Sequence, residues 1–265
     1  MHRVAGRLSA LLMLAVAAWS SARATELPVD LELVLAVDVS GSVDAEEARQ
    51  QREGYVAALA DRAVIDAIGS NFHRRIAVAY LEWASGDYQR LVLDWALIDG
   101  AASAEDFAAR LAAAPRRSAR WTSISAAIDT AVPLFDGNGY AGERLVIDVS
   151  GDGPNNMGIP VEVAREPVIR SGVTINGLPI MIKAPGGFAS IPNLDVYYED
   201  CVIGGPGAFL IVVRSAAEFA IAIRRKLVLE IVGAEPRIVP VAETVQQRHI
   251  DCLIGEKLRE QWMRE

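Results

Sequence analysis

Residues 31–37 read Leu-Glu-Leu-Val-Leu-Ala-Val, apolar at every position but Glu32. A run of this length and residue type is a strand buried in the middle of a sheet. It ends on Asp38-Val39-Ser40-Gly41-Ser42. The chain therefore leaves a sheet end with one carboxylate and two hydroxyls at alternate positions. Hard oxygen donors crowded on one turn suit Mg²⁺, Mn²⁺ or Ca²⁺ better than zinc or copper. Taken alone, the pentapeptide reads equally well as a Ser/Gly turn leading into a helix cap.

Strand and helix signals alternate along the rest of the chain. Helical patterns cover 43–60, 103–114, 122–134, 161–170 and 216–232. Asp44, Glu46 and Glu47 sit in the first turn of the earliest helix, where the macrodipole favours them. Ser103 is placed to cap the second, with Asp106 three residues on. Strand patterns cover 75–83, 89–93, 144–149, 174–182 and 209–213, with Pro179 expected near a strand end. The short connection Ala84-Ser85-Gly86-Asp87 predicts a hairpin between two of them. This order implies an α/β fold: a doubly wound, mostly parallel sheet with one antiparallel edge strand and helices on both faces. In such sheets sites form beyond the carboxyl ends of the strands.

Three segments are set apart from the domain. Residues 1–24 carry basic Arg3 and Arg7, an apolar core from Ala10 to Trp19, and Ala22-Arg23-Ala24 as a small-x-small cleavage signature. They read as a secretory signal peptide. The domain is expected over 25–232 and a Pro-punctuated tail over 233–265, helical from about Val241. Export implies the bacterial periplasm, with an extracellular destination as the alternative. The net charge of −8 becomes −11 once Arg3, Arg7 and Arg23 are removed. No Lys/Arg block offsets it, which argues against nucleic-acid binding. No later apolar run is long enough to span a membrane. Cys201 and Cys252 are the only cysteines. In an oxidising compartment a disulfide tying the tail to the body is the favoured reading, with two separate buried thiols as the alternative.

Two more segments offer oxygen donors: Trp121-Thr122-Ser123-Ile124-Ser125 and Val149-Ser150-Gly151-Asp152-Gly153. Asp38 and Asp152 share a sheet edge if their strands are parallel neighbours. Two carboxylates and three hydroxyls can then surround one divalent cation and leave a coordination position open. Singly, Thr122 reads as a helix N-cap and Asp152 as a turn residue. At these residues the chain resembles a von Willebrand factor A domain with a metal-ion-dependent adhesion site. Asp38-x-Ser40-x-Ser42 matches the family's first motif, Thr122 its second and Asp152 its third. The resemblance covers roughly 29–232. Around Tyr197-Tyr198-Glu199-Asp200-Cys201 and the glycines that follow, it is closest to an uncharacterised family of exported bacterial proteins.

The resemblance implies a metal set of Asp38, Ser40, Ser42, Thr122 and Asp152, with Mg²⁺ first and Mn²⁺ or Ca²⁺ as alternatives. It also implies a protein partner that lends an acidic side chain to the open position. Arg120-Trp121 departs from the pattern, because many relatives carry glycines there. Binding without catalysis is the expected role. A phosphatase-like hydrolase using Asp38 is the weaker alternative, since Ser40 stands where such enzymes place a second Asp and no general base is evident. A purely structural metal is the third. His73 and His249 show no ligand spacing, Trp83 and Trp95 read as packing residues, and Glu199-Asp200 as a solvated face. Tyr197 and Tyr198 could line a partner surface, but core packing of one ring is the simpler view.

Overall fold

The computed structural model describes residues 26–41, 45–183, 190–233 and 249–265. The expected signal peptide, Ser42 and the onset of tail helix near Val241 lie outside the described residues. The central sheet has the order β4-β3-β2-β6-β7. Its strands are β2 (Glu32–Asp38), β3 (Ile76–Trp83), β4 (Gln89–Ile98), β6 (Leu145–Gly151) and β7 (Thr174–Pro179). β2 pairs in parallel with β3 and β6, β6 in parallel with β7, and only β3–β4 is antiparallel. The expected architecture is therefore present, hairpin included.

Alternation along β2 divides the core. Leu31, Leu33, Leu35 and Val37 face one layer, which includes Tyr55, Ile68, Phe107 and Ile223. These belong to α1 (Ala45–Leu59), α2 (Arg62–Ser70), α3 (Ala101–Ala113) and α7 (Phe219–Val232). Val34 and Ala36 face the other layer, with Ile124, Ile128, Val161 and Ala164. These belong to α4 (Ile124–Ala131) and α5 (Val161–Arg170). The single charge in the run has a defined task. Glu32 accepts from the Gly142 amide (2.6 Å) and the Asn138 side chain (2.5 Å). That pins a small parallel pair, β1 (Leu27–Val29) and β5 (Tyr140–Gly142), to the amino end of the sheet.

Several elements differ from expectation. The helix expected over 43–60 is present as α1, but α2, where no helix was expected, follows it directly with Asp61 as cap, its carboxylate accepting from the Ala63 amide at 2.8 Å. β4 runs five residues past Leu93, beyond a register shift that breaks its alternation. Gly100, not Ser103, caps α3; Ser103 instead bonds back to Asp99 and Gly100. Residues 209–213 form no strand. They meet β7 and the residue after it only at two isolated bridges, Gly177–Leu210 and Ile180–Val213. Pro179 explains the gap. The bonds run Gly177 N to Phe209 O, Ile211 N to Gly177 O, Val213 N to Pro179 O and Met181 N to Val213 O. The next rung would need an N–H on residue 179, which proline lacks.

The tail returns to the body as expected. Cys201 and Cys252 form a disulfide with Cα atoms 5.5 Å apart. Ahead of it comes α6 (Leu194–Tyr197). A single π-helical turn, Tyr198–Val202, carries Cys201. Helix α8 (Ile254–Trp262) follows Cys252. Asp200, expected on a solvated face, accepts from the Ile250 amide at 3.0 Å and so anchors the returning strand of chain.

The α7 layer contains a fully buried ionic cluster. Lys226 Nζ contacts Asp148 Oδ1 at 2.6 Å and Glu230 Oε1 at 2.5 Å, and Asn176 donates to Glu230 at 3.1 Å. Burial raises the pKa of both carboxyls, and for Glu230 the Asp148 charge adds, bringing it to about 7. Lys226→Met would leave two carboxyls buried without their cation; we expect a loss of about 3–5 kcal/mol in urea denaturation. Glu230 keeps its proton in the folded state up to about 7, whereas the unfolded chain releases it near 4.5. The unfolded state therefore binds fewer protons in this window, and the stability contributed by Glu230 should fall as pH rises across it. Glu230→Gln should remove that slope, as read from denaturation midpoints at a series of pH values.

Candidate metal centre

The sheet brings Asp38 and Asp152 to one edge through register alone. Val37 lies opposite Ser150 on β6, and Asp38 lies opposite Trp83 on β3. Asp152 follows β6 directly, so both carboxylates stand at the carboxyl end of adjacent parallel strands. Asp38 is fully buried, and its Oδ1 accepts from the Ser40 amide at 2.7 Å. Its Oδ2 is also buried and, among the described residues, has no hydrogen-bond partner.

Electrostatics at this oxygen are unfavourable as they stand. Burial pushes the Asp38 carboxyl well above the usual carboxylate range, and the Asp152 charge pushes it further. The Ser40 amide and hydroxyl and the Asp152 amide pull it back only in part. Two carboxylates in a site of low dielectric call for a proton or a cation between them. Gly151 supplies the room: a Cβ there would sit 2.9 Å from both Asp38 Oδ2 and the Tyr198 hydroxyl. A side chain at 151 would fill the space beside the carboxylate.

Thr122 and Ser40 complete the edge through backbone links. Ser40 is almost wholly buried, and the Ala119 amide donates to Val39 at 3.1 Å. The Ser123 amide donates to Ala84 O, just past β3, at 2.6 Å. Ser123 caps α4, its hydroxyl accepting from the Ala126 amide at 3.3 Å. Thr122 is thus not the capping residue expected of it alone. Its main chain is instead held from across the site: the Thr122 amide donates to Asn156 Oδ1 (2.9 Å), and Thr122 O accepts from the amides of Asn156 (2.9 Å) and Met157 (3.2 Å). Trp121 before it has φ +69°, a left-handed conformation that glycine adopts freely and tryptophan does not. Here packing compensates: the Trp121 ring meets Trp262 edge-on at 6.2 Å, and the Arg259 guanidinium lies 5.8 Å from its centroid.

The donor set is one of oxygens. Among the described residues, no group of three or more His, Cys, Asp or Glu could hold a metal ion. A cation at this edge would rest on two carboxylates and hydroxyls, which fits a hard divalent ion. Asp38, Ser40, Thr122 and Asp152 are oxygen donors of the kind such an ion takes; Ser42 lies outside the described residues. His73 and His249 are not part of the edge. His73 faces Glu143 at 3.3 Å and His249 faces Asp200 at 3.4 Å. Trp83 is buried in the core and Trp95 donates to Leu134 O at 2.7 Å, both as packing residues.

Four residues around the site carry no sequence signal for that place. Tyr198, buried rather than partner-facing, places its hydroxyl beside Gly151; burial first, then the Asp38 and Asp152 charges, push its pKa far up. Tyr197 is buried as well, its hydroxyl accepting from the Asn155 amide at 3.2 Å. Asn155 and Asn156 tie the Asp152 loop to the Thr122 loop. Their only sequence signal is a Gly-Pro-Asn-Asn turn after a buried strand.

The sequence matches, over residues 28–235, the family described as Protein of unknown function (DUF1194). A comparison with curated proteins gives no match. Among solved structures, proximal thread matrix protein 1 from the mussel byssus, with a zinc-occupied MIDAS motif, aligns at TM-score 0.58 and 13% identity. The alignment covers 78% of this chain and 49% of that one. A von Willebrand factor type A protein from Catenulispora acidiphila aligns at TM-score 0.50 and 16% identity, covering 77% and 43%. The pilus adhesin SpaC from Lactobacillus rhamnosus GG aligns at 0.55 and 13%, covering 77% and 30%. This chain thus spans about half or less of each of those structures. At such identities the likeness is one of fold, and the fold is that of von Willebrand factor A domains. With most of its domain matched, the chain belongs to the DUF1194 family, built on the von Willebrand factor A fold.

Proposed function

We propose that this chain is an exported, divalent-cation-dependent binding module. Asp38, Ser40, Ser42, Thr122 and Asp152 would hold the cation, with Mg²⁺ first and Mn²⁺ or Ca²⁺ as alternatives. The ion would neutralise the two carboxylates and offer its open position to an acidic side chain of a protein partner. The observation that carries this reading is Asp38 Oδ2: a buried carboxylate oxygen with no hydrogen-bond partner among the described residues, beside a second carboxylate. The zinc-occupied MIDAS motif in a structure of the same fold supports it. Residues 1–24 support export, into the periplasm first, and the tail would belong to the mature protein through its disulfide.

The hydrolase alternative is weaker on geometry. A nucleophile must reach a substrate, and Asp38 is fully buried. The similar structures are described as matrix and adhesin proteins.

Two outcomes test the proposal. Calorimetric titration with MnCl₂ or MgCl₂ should show one saturable site in the wild type and none in Asp38→Ala, with far-UV circular dichroism unchanged. An equal binding isotherm in the two proteins would remove Asp38 from the site. Partner capture from the native envelope should require Mg²⁺ and release on EDTA, and should be absent with Asp38→Ala. Capture that survives both would sink the carboxylate-bridging idea.

A further inference from the structure

We propose that the disulfide-tethered helix α8 is a working part of the metal face: it positions the Asp152 loop, and through it Thr122, and so sets the affinity for the cation. This rests on the cation-binding reading above and adds to it residues from outside the domain core.

The contact is made backbone to backbone. Gly255, in the first turn of α8, is buried against the loop that follows Asp152. A Cβ at 255 would fall 2.0 Å from Asn155 O and 3.1 Å from Pro154 Cγ. No side chain fits there, so α8 seats on this loop only because residue 255 is glycine.

The next residue adds a polar clasp. Glu256 Oε1 accepts from Asn155 Nδ2 at 2.7 Å. Asn155 is fully buried, and its remaining groups are committed too. Nδ2 also donates to Ile159 O at 3.1 Å, Oδ1 accepts from the Ser125 amide at 3.1 Å, and its amide donates to Tyr197. Asn155 is therefore bonded at once to α8, to the first turn of α4 and to α6. Its neighbour Asn156 holds the Thr122 peptide on both sides. From the other direction, Arg259 and Trp262 of α8 pack on Trp121, the residue whose left-handed backbone sets the direction of Thr122.

The tether closes the loop of contacts. Cys252, two residues before α8, is bonded to Cys201, and the Tyr197 hydroxyl donates to Cys252 O at 3.4 Å. Cys201 sits in the π turn that begins at Tyr198, whose hydroxyl reaches the space beside Asp38. The C-terminal segment thus supports the site on both its Thr122 and its Asp38 sides. Groups behind metal ligands act by fixing ligand orientation, and losing one costs about 10–100-fold in affinity.

The test is Mn²⁺ titration of the full mature chain in wild type, Gly255→Ala, Glu256→Ala and Glu256→Gln. Near-UV circular dichroism of the Trp121–Trp262 pair would report whether α8 is seated. The urea midpoint of the metal-free protein would report global stability. We expect Gly255→Ala to weaken Mn²⁺ binding by about 10-fold or more and Glu256→Ala by less. Glu256→Gln, which keeps the acceptor oxygen, should stay close to wild type. The metal-free urea midpoint should move less than the affinity, because Ile254 and Leu258 of α8 pack only at the margin of the α4–α5 core. If Gly255→Ala and Glu256→Ala both bind Mn²⁺ with the wild-type constant, the inference is wrong. If the affinity loss only tracks a loss of metal-free stability, a merely structural role replaces it. If the wild type itself binds no Mn²⁺, Mg²⁺ or Ca²⁺, the cation reading fails first and takes this inference with it.

Discussion

Everything at the candidate site depends on the register of one strand. β2 lies between β3 and β6, parallel to both, and is buried along its whole length. Parallel pairing without a shift means that the chains leaving β2 and β6 emerge side by side. Asp38 and Asp152 come together for that reason, since they lie 114 positions apart along the chain. A slip by one residue would turn Leu33, Leu35 and Val37 from the α1–α7 layer to the α4–α5 layer. Two dry cores of different shape oppose that slip, so hydrophobic packing fixes the distance between two charges.

What could be read from the sequence follows the same physics. Leu31–Val37 and Val161–Arg170 were legible because a buried run and a helical period are local signals, and α5 has the expected bounds even with Pro167 inside it. The hairpin and the antiparallel edge followed from the short 84–87 connection. Misreadings arose where the deciding partner is distant or the signal ambiguous. Residues 209–213 look like a strand, but the missing N–H belongs to Pro179. Helix α2 went unread because it is short and its start is marked only by Asp61, a cap with no Gly or Pro beside it. At the site, Asp38, Ser40, Thr122 and Asp152 carry recognisable chemistry in sequence. Asn155, Tyr198 and Gly255 do not, because their roles exist only across loops that the sheet brings together.

The same long-range logic explains the tail. Residues after Gly233 could be taken for an appendage, yet Ile250, Cys252, Ile254 and Leu258 pack against the α4–α5 layer. The disulfide spans 51 residues and limits how far α8 can stray once its contacts open. Its effect on the unfolded ensemble and its effect on the site are separate matters. The first stabilises the whole domain by shrinking a loop. The second concerns only the loops that α8 touches.

Pro179 has a consequence for how the sheet comes apart. The 209–213 segment is fastened to β7 by one group of bonds around Gly177 and another around Pro179 and Met181, with no rung between. Such a seam is held by two separate groups of bonds, whereas β2 and β6 are each flanked by strands on both sides. In amide exchange the outer margin of the sheet would lose protection at a low free energy, well below that of the central strands. The fold therefore keeps its least secure ladder at the β7 edge, two strands away from the strand that carries Asp38.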